Sequence, residues 1–247
     1  MNVRIVCLSL FSVGCLATTA QADLALGIGL ASFQDPQIGM ETRQMAIPLV
    51  SYTGERLNFQ VTTLNYRLLE LGDLEISTLV SGRLQGYETS DSPYLAGMKD
   101  RSNTLDGGIS LDWHGFSVSY THDLLSKHKG EEVALSYTKG FGLGKAEIML
   151  GAGVTWQSEK LNQYYYGVAP SETRSLIVKG KTFNRTAYKT EDAISPKINM
   201  LVKYPVFDSW ALIGGAELNF LPDVITDSPI IENKTAWGFF AGIVKAL

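Results

Sequence analysis

Three histidines, His114, His122 and His128, are the side chains in this sequence best suited to moving protons near neutral pH. A hydrolytic relay would need one of them in hydrogen-bond reach of both a nucleophile and an acid. His122 and Asp123 are adjacent, but neighbours on a strand point to opposite faces. His114 falls in the short joint "WHGF" and His128 in the loop "SKHKG", so no pair is placed for a relay. The catalytic assignment is therefore none. No His/Asp/Glu spacing reads as a metal site, and "GLGKAE" sets glycines beside a lysine without phosphate-loop spacing, so no cofactor is implied.

A second group of residues suits contact rather than catalysis. In "SPYLAGMKDR", Tyr94, Leu95 and Met98 are large and apolar for a loop, and Gly97, Asp100 and Arg101 stand among them. Two readings are open: the loop meets a partner, or it folds inward to cap the fold, with Asp100 and Arg101 pairing to lock it. Tyr164, Tyr165 and Tyr166, followed by Gly167, raise the same choice between a surface contact and the edge of an aromatic belt.

The elements that must carry these loops alternate with period two. In "ADLALGIGLASF", Leu24, Leu26, Ile28 and Leu30 oppose Ala25, Gly27, Gly29 and Ala31. "TLDGGISLDW", "GFSVSYTHD", "EEVALSYTK", "KAEIMLGAGVTW" and "WALIGGAELNF" repeat the pattern, and no segment of similar length shows a helical period. One face is rich in aliphatics and aromatics, while the other mixes Gly, Ala, Ser and Thr with charge. That pattern predicts an all-β fold, a transmembrane antiparallel β-barrel of the outer membrane, in contact with outer-membrane lipid. Asp106, Asp112, Glu132, Glu147, Lys197, Lys203 and Glu217 then face the lumen. They would either line an aqueous path or pair across a plugged interior.

Joints alternate between tight and long from Tyr87 onward, as they do when both termini are periplasmic. Strands at 23–33, 44–52, 56–68 and 74–86 together with seven later ones would give an odd total. Dividing "RLNFQVTTLNYRLLE" into two short strands gives twelve, with ten as the fallback.

Residues 1–22 read as a secretory signal peptide cleaved after Ala22, leaving 23–247 as a single barrel domain. A looser match of Ser12-Val13-Gly14-Cys15 to a lipoprotein box is the alternative. Cleavage at Ala22 removes Cys7, Cys15 and Arg4, so the mature chain has no thiol and sets 20 basic against 25 acidic residues. No basic cluster exists to neutralise phosphates, which argues against nucleic acid as a partner.

The loop-and-strand piece "SPYLAGMKDRSNTLDGGISL" resembles the signature of the MltA-interacting protein family (MipA/OmpV) of Gram-negative outer-membrane proteins. "IPLVSYTGERL", "LNYRLL", "TWQSEKLNQYYYGVAPSE" and "DSPIIENK" match in order over nearly the whole mature chain. The chain departs from the common barrel ending, since Leu247 stands where a phenylalanine is usual. The resemblance implies a non-enzymatic scaffold linking a murein lytic transglycosylase and a penicillin-binding protein in peptidoglycan metabolism. A small porin-like channel and a surface adhesin using loop 158–190 are the other readings.

Overall fold

Alternation becomes strand pairing wherever it occurs. The computed structural model describes residues 23–247; the proposed signal peptide lies outside the described residues. The strands are β1 (Asp23–Gln34), β2 (Arg43–Thr53), β3 (Leu57–Gln60), β4 (Thr63–Leu71), β5 (Leu74–Arg83), β6 (Thr104–Trp113) and β7 (Phe116–Asp123). They continue with β8 (Glu131–Leu143), β9 (Ala146–Gln157), β10 (Arg174–Val178), β11 (Lys181–Arg185), β12 (Ala193–Phe207), β13 (Trp210–Phe220) and β14 (Thr235–Ala246). Two helices, α1 (Glu159–Tyr166) and α2 (Asp223–Thr226), lie in the connections.

Twelve of these strands close into an antiparallel barrel, and β10–β11 form a separate hairpin. Closure is made by β1 against β14, in register from Ala25↔Ala246 to Gln34↔Trp237. The division of 56–68 that the strand count required is present, since β3 and β4 pair through Gln60↔Thr63. The strand expected over 74–86 stops at Arg83, where β5 loses its regular pairing with β6. The helix α1 was not anticipated: at 8 residues it is too short to show a clear helical period.

Side chains on the outer face form a lipid-ready belt. Ile28 is 62% exposed and Leu30 69%, while their neighbour Ala31 is 2% exposed. Leu105, Ile109, Leu111 and Trp113 of β6, and Leu135 and Tyr137 of β8, continue the belt around the barrel. Tight joints at 72–73, 114–115, 144–145 and 208–209 share the end where Asp23 and Leu247 lie. His114 and Gly115 take φ of 48° and 84°, the left-handed pair that a two-residue hairpin turn requires. Long connections gather at the other end, as they do on the outer side of outer-membrane barrels. The exception is the Val61-Thr62 joint, a two-residue turn on the long-loop side. Val61 has φ of 50°, a conformation that costs a β-branched residue about 1–2 kcal/mol.

Each in-strand proline sits where one ladder is missing. Pro48 pairs with Ile28 of β1 and has no β3 partner. Pro196 pairs only with Val154 of β9, and Pro205 only with Ala211 of β13. A residue without an N–H is tolerated in a sheet only at such edges.

The lumen has two unlike walls, which corrects the expectation of an interior lined by small and polar residues. Ala31, Ile47, Leu49, Leu201 and Phe240 form a buried apolar cluster, with Met45, Met149, Ile213 and Val244 packed on it. These belong to β1, β2, β9 and β12–β14. Across from them, β5–β7 present Ser77, Arg83, Asp106, Ser110 and Thr121, all buried. The physical reason is local: "MAIPLV" is apolar on both faces, so its inward row brings hydrocarbon into the barrel.

Candidate functional site

The long connections fold over the barrel mouth into a lid with its own core. Leu95, Leu161, Tyr165, Ile225 and Ile230 are fully buried there, and Met98, Tyr166 and Val168 nearly so. Helix α1 supplies Leu161 and Tyr165, one turn apart and therefore on one face. Its first N–H donates to Asp192 Oδ1 at 2.7 Å, and its Asn162 amide donates to the Gln157 and Glu191 carbonyls. Ser92 starts the Pro93–Leu95 turn: its hydroxyl accepts from the Tyr94 N–H and donates to the Ile38 carbonyl at 2.7 Å. Gly97 has φ of 78°, and a side chain there would strike the Arg174 guanidinium.

Two arginines fasten this lid. Arg101 donates to both Glu172 oxygens at 3.0 Å and to the Tyr164 carbonyl at 2.5 Å. Arg185, 1% exposed, donates to the carbonyls of Glu172, Tyr94 and Ala96, tying β11 to the 92–101 loop. Burial works against the Glu172 charge, but the Lys99 and Ala169 N–H groups and the Arg101 guanidinium outweigh it. They hold the carboxyl below the usual glutamate range. Asp100 does not pair with Arg101; its carboxylate accepts the Thr89 N–H. Burial pushes the Tyr87 phenol up to about 12, and its hydroxyl meets no protein partner.

Tyr165 and Tyr166 are inside the lid core, at 0% and 5% exposure, and burial pushes both phenols up. Tyr165 donates to the Ser102 carbonyl, while the Tyr164 hydroxyl accepts the Ser102 N–H. Gly167 ends α1, its N–H donating to the Gln163 carbonyl, and is too crowded by Gln163 for a side chain. Tyr94 lies at the lid margin, edge-on to Phe183 of the hairpin.

Beneath the lid runs a charged relay. Arg83 contacts Asp106 at 2.5 Å and Glu132 at 3.0 Å, and Asp106 meets His128 Nε2 at 3.0 Å. His128 Nδ1 accepts the Gly130 N–H, which leaves Nε2 to donate to Asp106. The His128 ring also reaches Tyr164 and Tyr165, so it joins the lumen charges to the lid. Asp123 accepts from the Thr104 hydroxyl and the Leu125 and Lys129 N–H groups. The ligand atoms of Asp106, Asp123 and His128 lie within 4.8 Å of one another, so these three are the residues that could approach a cation. Both His128 nitrogens are already engaged, and a metal would have to displace the Gly130 N–H or Asp106.

The remaining lumen charges are scattered. Asp112 faces inward beside Ser110 and Ser117. Glu147 and Lys203 are 3.8 Å apart at the open lower mouth, both exposed. Lys197 and Glu217 share the inward face, where Glu217 accepts from the Asn219 amide. His114 pairs with exposed Asp73 at 3.2 Å in the turns, and His122 faces outward near Tyr120.

Glu172, Arg185, Arg83 and the role of His128 are not legible in the sequence. Their partners are 13 to 91 residues away, and only folding brings them together. One signal was present: Glu172, Arg174 and Arg185 lie inside a connection long enough to build its own structure.

The family model "MltA-interacting protein MipA" matches residues 26–246. The putative outer membrane protein YiaT of Escherichia coli (strain K12) is 27% identical, with 95% of each chain covered. The outer membrane protein OmpV of Vibrio cholerae is 29% identical over 75% of this chain and 72% of its own. The MltA-interacting protein of Escherichia coli (strain K12) is 24% identical, covering 92% of this chain and 94% of its own.

Proposed function

This chain belongs to the MltA-interacting protein MipA family of outer-membrane barrels, and from that premise we propose that it is a non-enzymatic platform in the envelope. Its role is to hold a murein lytic transglycosylase and a penicillin-binding protein at the inner face of the outer membrane, in peptidoglycan metabolism. The observation that carries this reading is the lid: Leu95 at 0% exposure and the Arg101–Glu172 pair close the outer mouth. A barrel shut in this way acts through its surfaces rather than by general flow. The name of the MltA-interacting relative supports the choice of partner.

The partner-facing surface is the ring of exposed charge on the tight turns: Glu55, Arg56, Asp73, His114, Lys145 and Asp208. Charge on short, rigid turns gives orientation and on-rate more than affinity, which suits a reversible assembly point. Site-specific photo-cross-linkers at 114, 145 and 208 in living cells test it. Adducts with murein hydrolase or synthase from these positions, and none from a cross-linker at 179 on the opposite side, are expected. Absence of such adducts would contradict the platform role.

One observation favours a second reading. Ile177 is 82% exposed on the β10–β11 hairpin, flanked by exposed Lys179 and Lys181. An apolar residue so placed suits a contact outside the cell, and deletion of 174–185 would then abolish adhesion while leaving the barrel intact.

A further inference from the structure

The barrel wall has a gap on one side at the level of the lipid-facing belt. β2 pairs with β3 only at Ser51, Tyr52 and Thr53, so Arg43 to Val50 have no strand ladder on that side. There the Val61 N–H donates to the Val50 carbonyl, at 3.2 Å. On the far side, β4 follows β5 to Thr63↔Ser81, the Gly82 N–H donates to the Thr62 carbonyl at 3.1 Å, and β5 itself ends at Arg83. Above the Val61-Thr62 turn, β2 and the last residues of β5 are three strand spacings apart, about 14 Å. The Ser92–Ile38 hydrogen bond spans the top.

Three features support reading the gap as part of the fold's design and as facing hydrocarbon. Val61 adopts a left-handed backbone to end the hairpin early. Pro48 removes the N–H that would offer the open edge to another strand, which blunts pairing with a second chain. The partners of Ala46 and Pro48 across β1 are Leu30 and Ile28, exposed belt residues.

Behind the gap lies a row of alternate β2 residues, Arg43, Met45, Ile47 and Leu49, all turned inward. The row is about 20 Å long. Its lower three members belong to the apolar wall. At its top, Arg43 pairs with Asp35 and stacks 4.6 Å over Phe33, yet its buried Nε has no hydrogen-bond partner.

We propose that this gap is a lateral window through which a single-chain anionic amphiphile of the long-chain fatty-acid class enters from the outer leaflet. Its alkyl chain lies along Met45, Ile47 and Leu49, and its carboxylate meets Arg43. The lid shuts off the axial route, and the window opens beside it to lipid.

The test uses wild-type protein in phospholipid vesicles with a long-chain fatty acid carrying a mid-chain diazirine, mapped residue by residue after photolysis. Label on Met45, Ile47 and Leu49 is expected, lost on adding excess unlabelled fatty acid and lost in Ile47→Trp, which fills the window. Arg43→Gln should weaken the same labels while leaving those on Ile28 and Leu30 unchanged. Heat-modifiable migration of both variants verifies that they fold. Label confined to outward residues would overturn the proposal. So would label on Leu201 and Ile213 without Met45 and Ile47, which marks entry from the lower mouth. The same diazirine chain esterified in a phospholipid should label outward residues alone; inward label from it would overturn the single-chain assignment.

Discussion

Arg101 holds Glu172 through two contacts of 3.0 Å from a single guanidinium nitrogen, across 71 residues of sequence. The pair joins the first long loop to the loop that carries α1 and the β10–β11 hairpin. Charge-assisted bonds between buried partners of this kind contribute about 1.5–3 kcal/mol each, and loss of one partner strands the other. Glu172→Gln is therefore expected to loosen the lid without opening the barrel. Hydrogen exchange should rise in 92–103 and 158–190 and stay unchanged in the twelve barrel strands; equal protection in both proteins would remove Arg101–Glu172 as the fastening.

Acid should act on the same pair. The folded-state pKa of Glu172 is depressed, so its stabilisation is complete above the unfolded value of about 4.3. It is lost as pH falls through the lower, folded value. Protease nicking of the lid is expected to be the same at pH 7 and pH 5 and to rise only in stronger acid. A lid that loosens between pH 7 and pH 5 would point to a different group.

Arg185 is the second fastening, and its geometry makes it irreplaceable by lysine. Three carbonyls on two segments take one guanidinium fork. An ammonium cannot span that spread. Arg185→Lys should lower lid stability by about 2 kcal/mol, nearly as much as Arg185→Ala. Retention of wild-type exchange protection by the lysine variant would show that charge alone suffices.

Asp106 stands between Arg83 and His128, all three buried. Removing one partner of a buried pair costs about 3–5 kcal/mol, because the other charge keeps its desolvation. Asp106→Ala should lower the heat-modification temperature of the whole barrel, whereas Glu147→Ala, at the exposed lower mouth, should leave it unchanged. Equal effects would mean that the relay carries no special weight.

Much of this architecture was legible in the sequence because a barrel strand writes its two faces in period two. Even the splitting of 56–68 followed from strand parity. The Val61-Thr62 turn was not legible as a turn, since neither residue favours the left-handed conformation that Val61 takes. The lid was harder. Leu95 and Met98 looked out of place in a loop, but nothing in the sequence named Glu172 and Arg185 as the residues that hold them in. His128 was visible in the loop "SKHKG", but its partner, Asp106, lies 22 residues away on another strand. The apolar wall was visible in "MAIPLV", where both rows are hydrophobic, but strand alternation alone does not announce a second core inside a barrel.

The most direct test of the closed platform is conductance in planar bilayers, comparing wild type with a variant carrying both Arg101→Ala and Arg185→Ala. Wild type is expected to be silent, and the doubly unfastened protein to show openings that verify insertion. Steady, cation-selective steps from the wild-type barrel would contradict the account and return the lumen charges to the role of a channel.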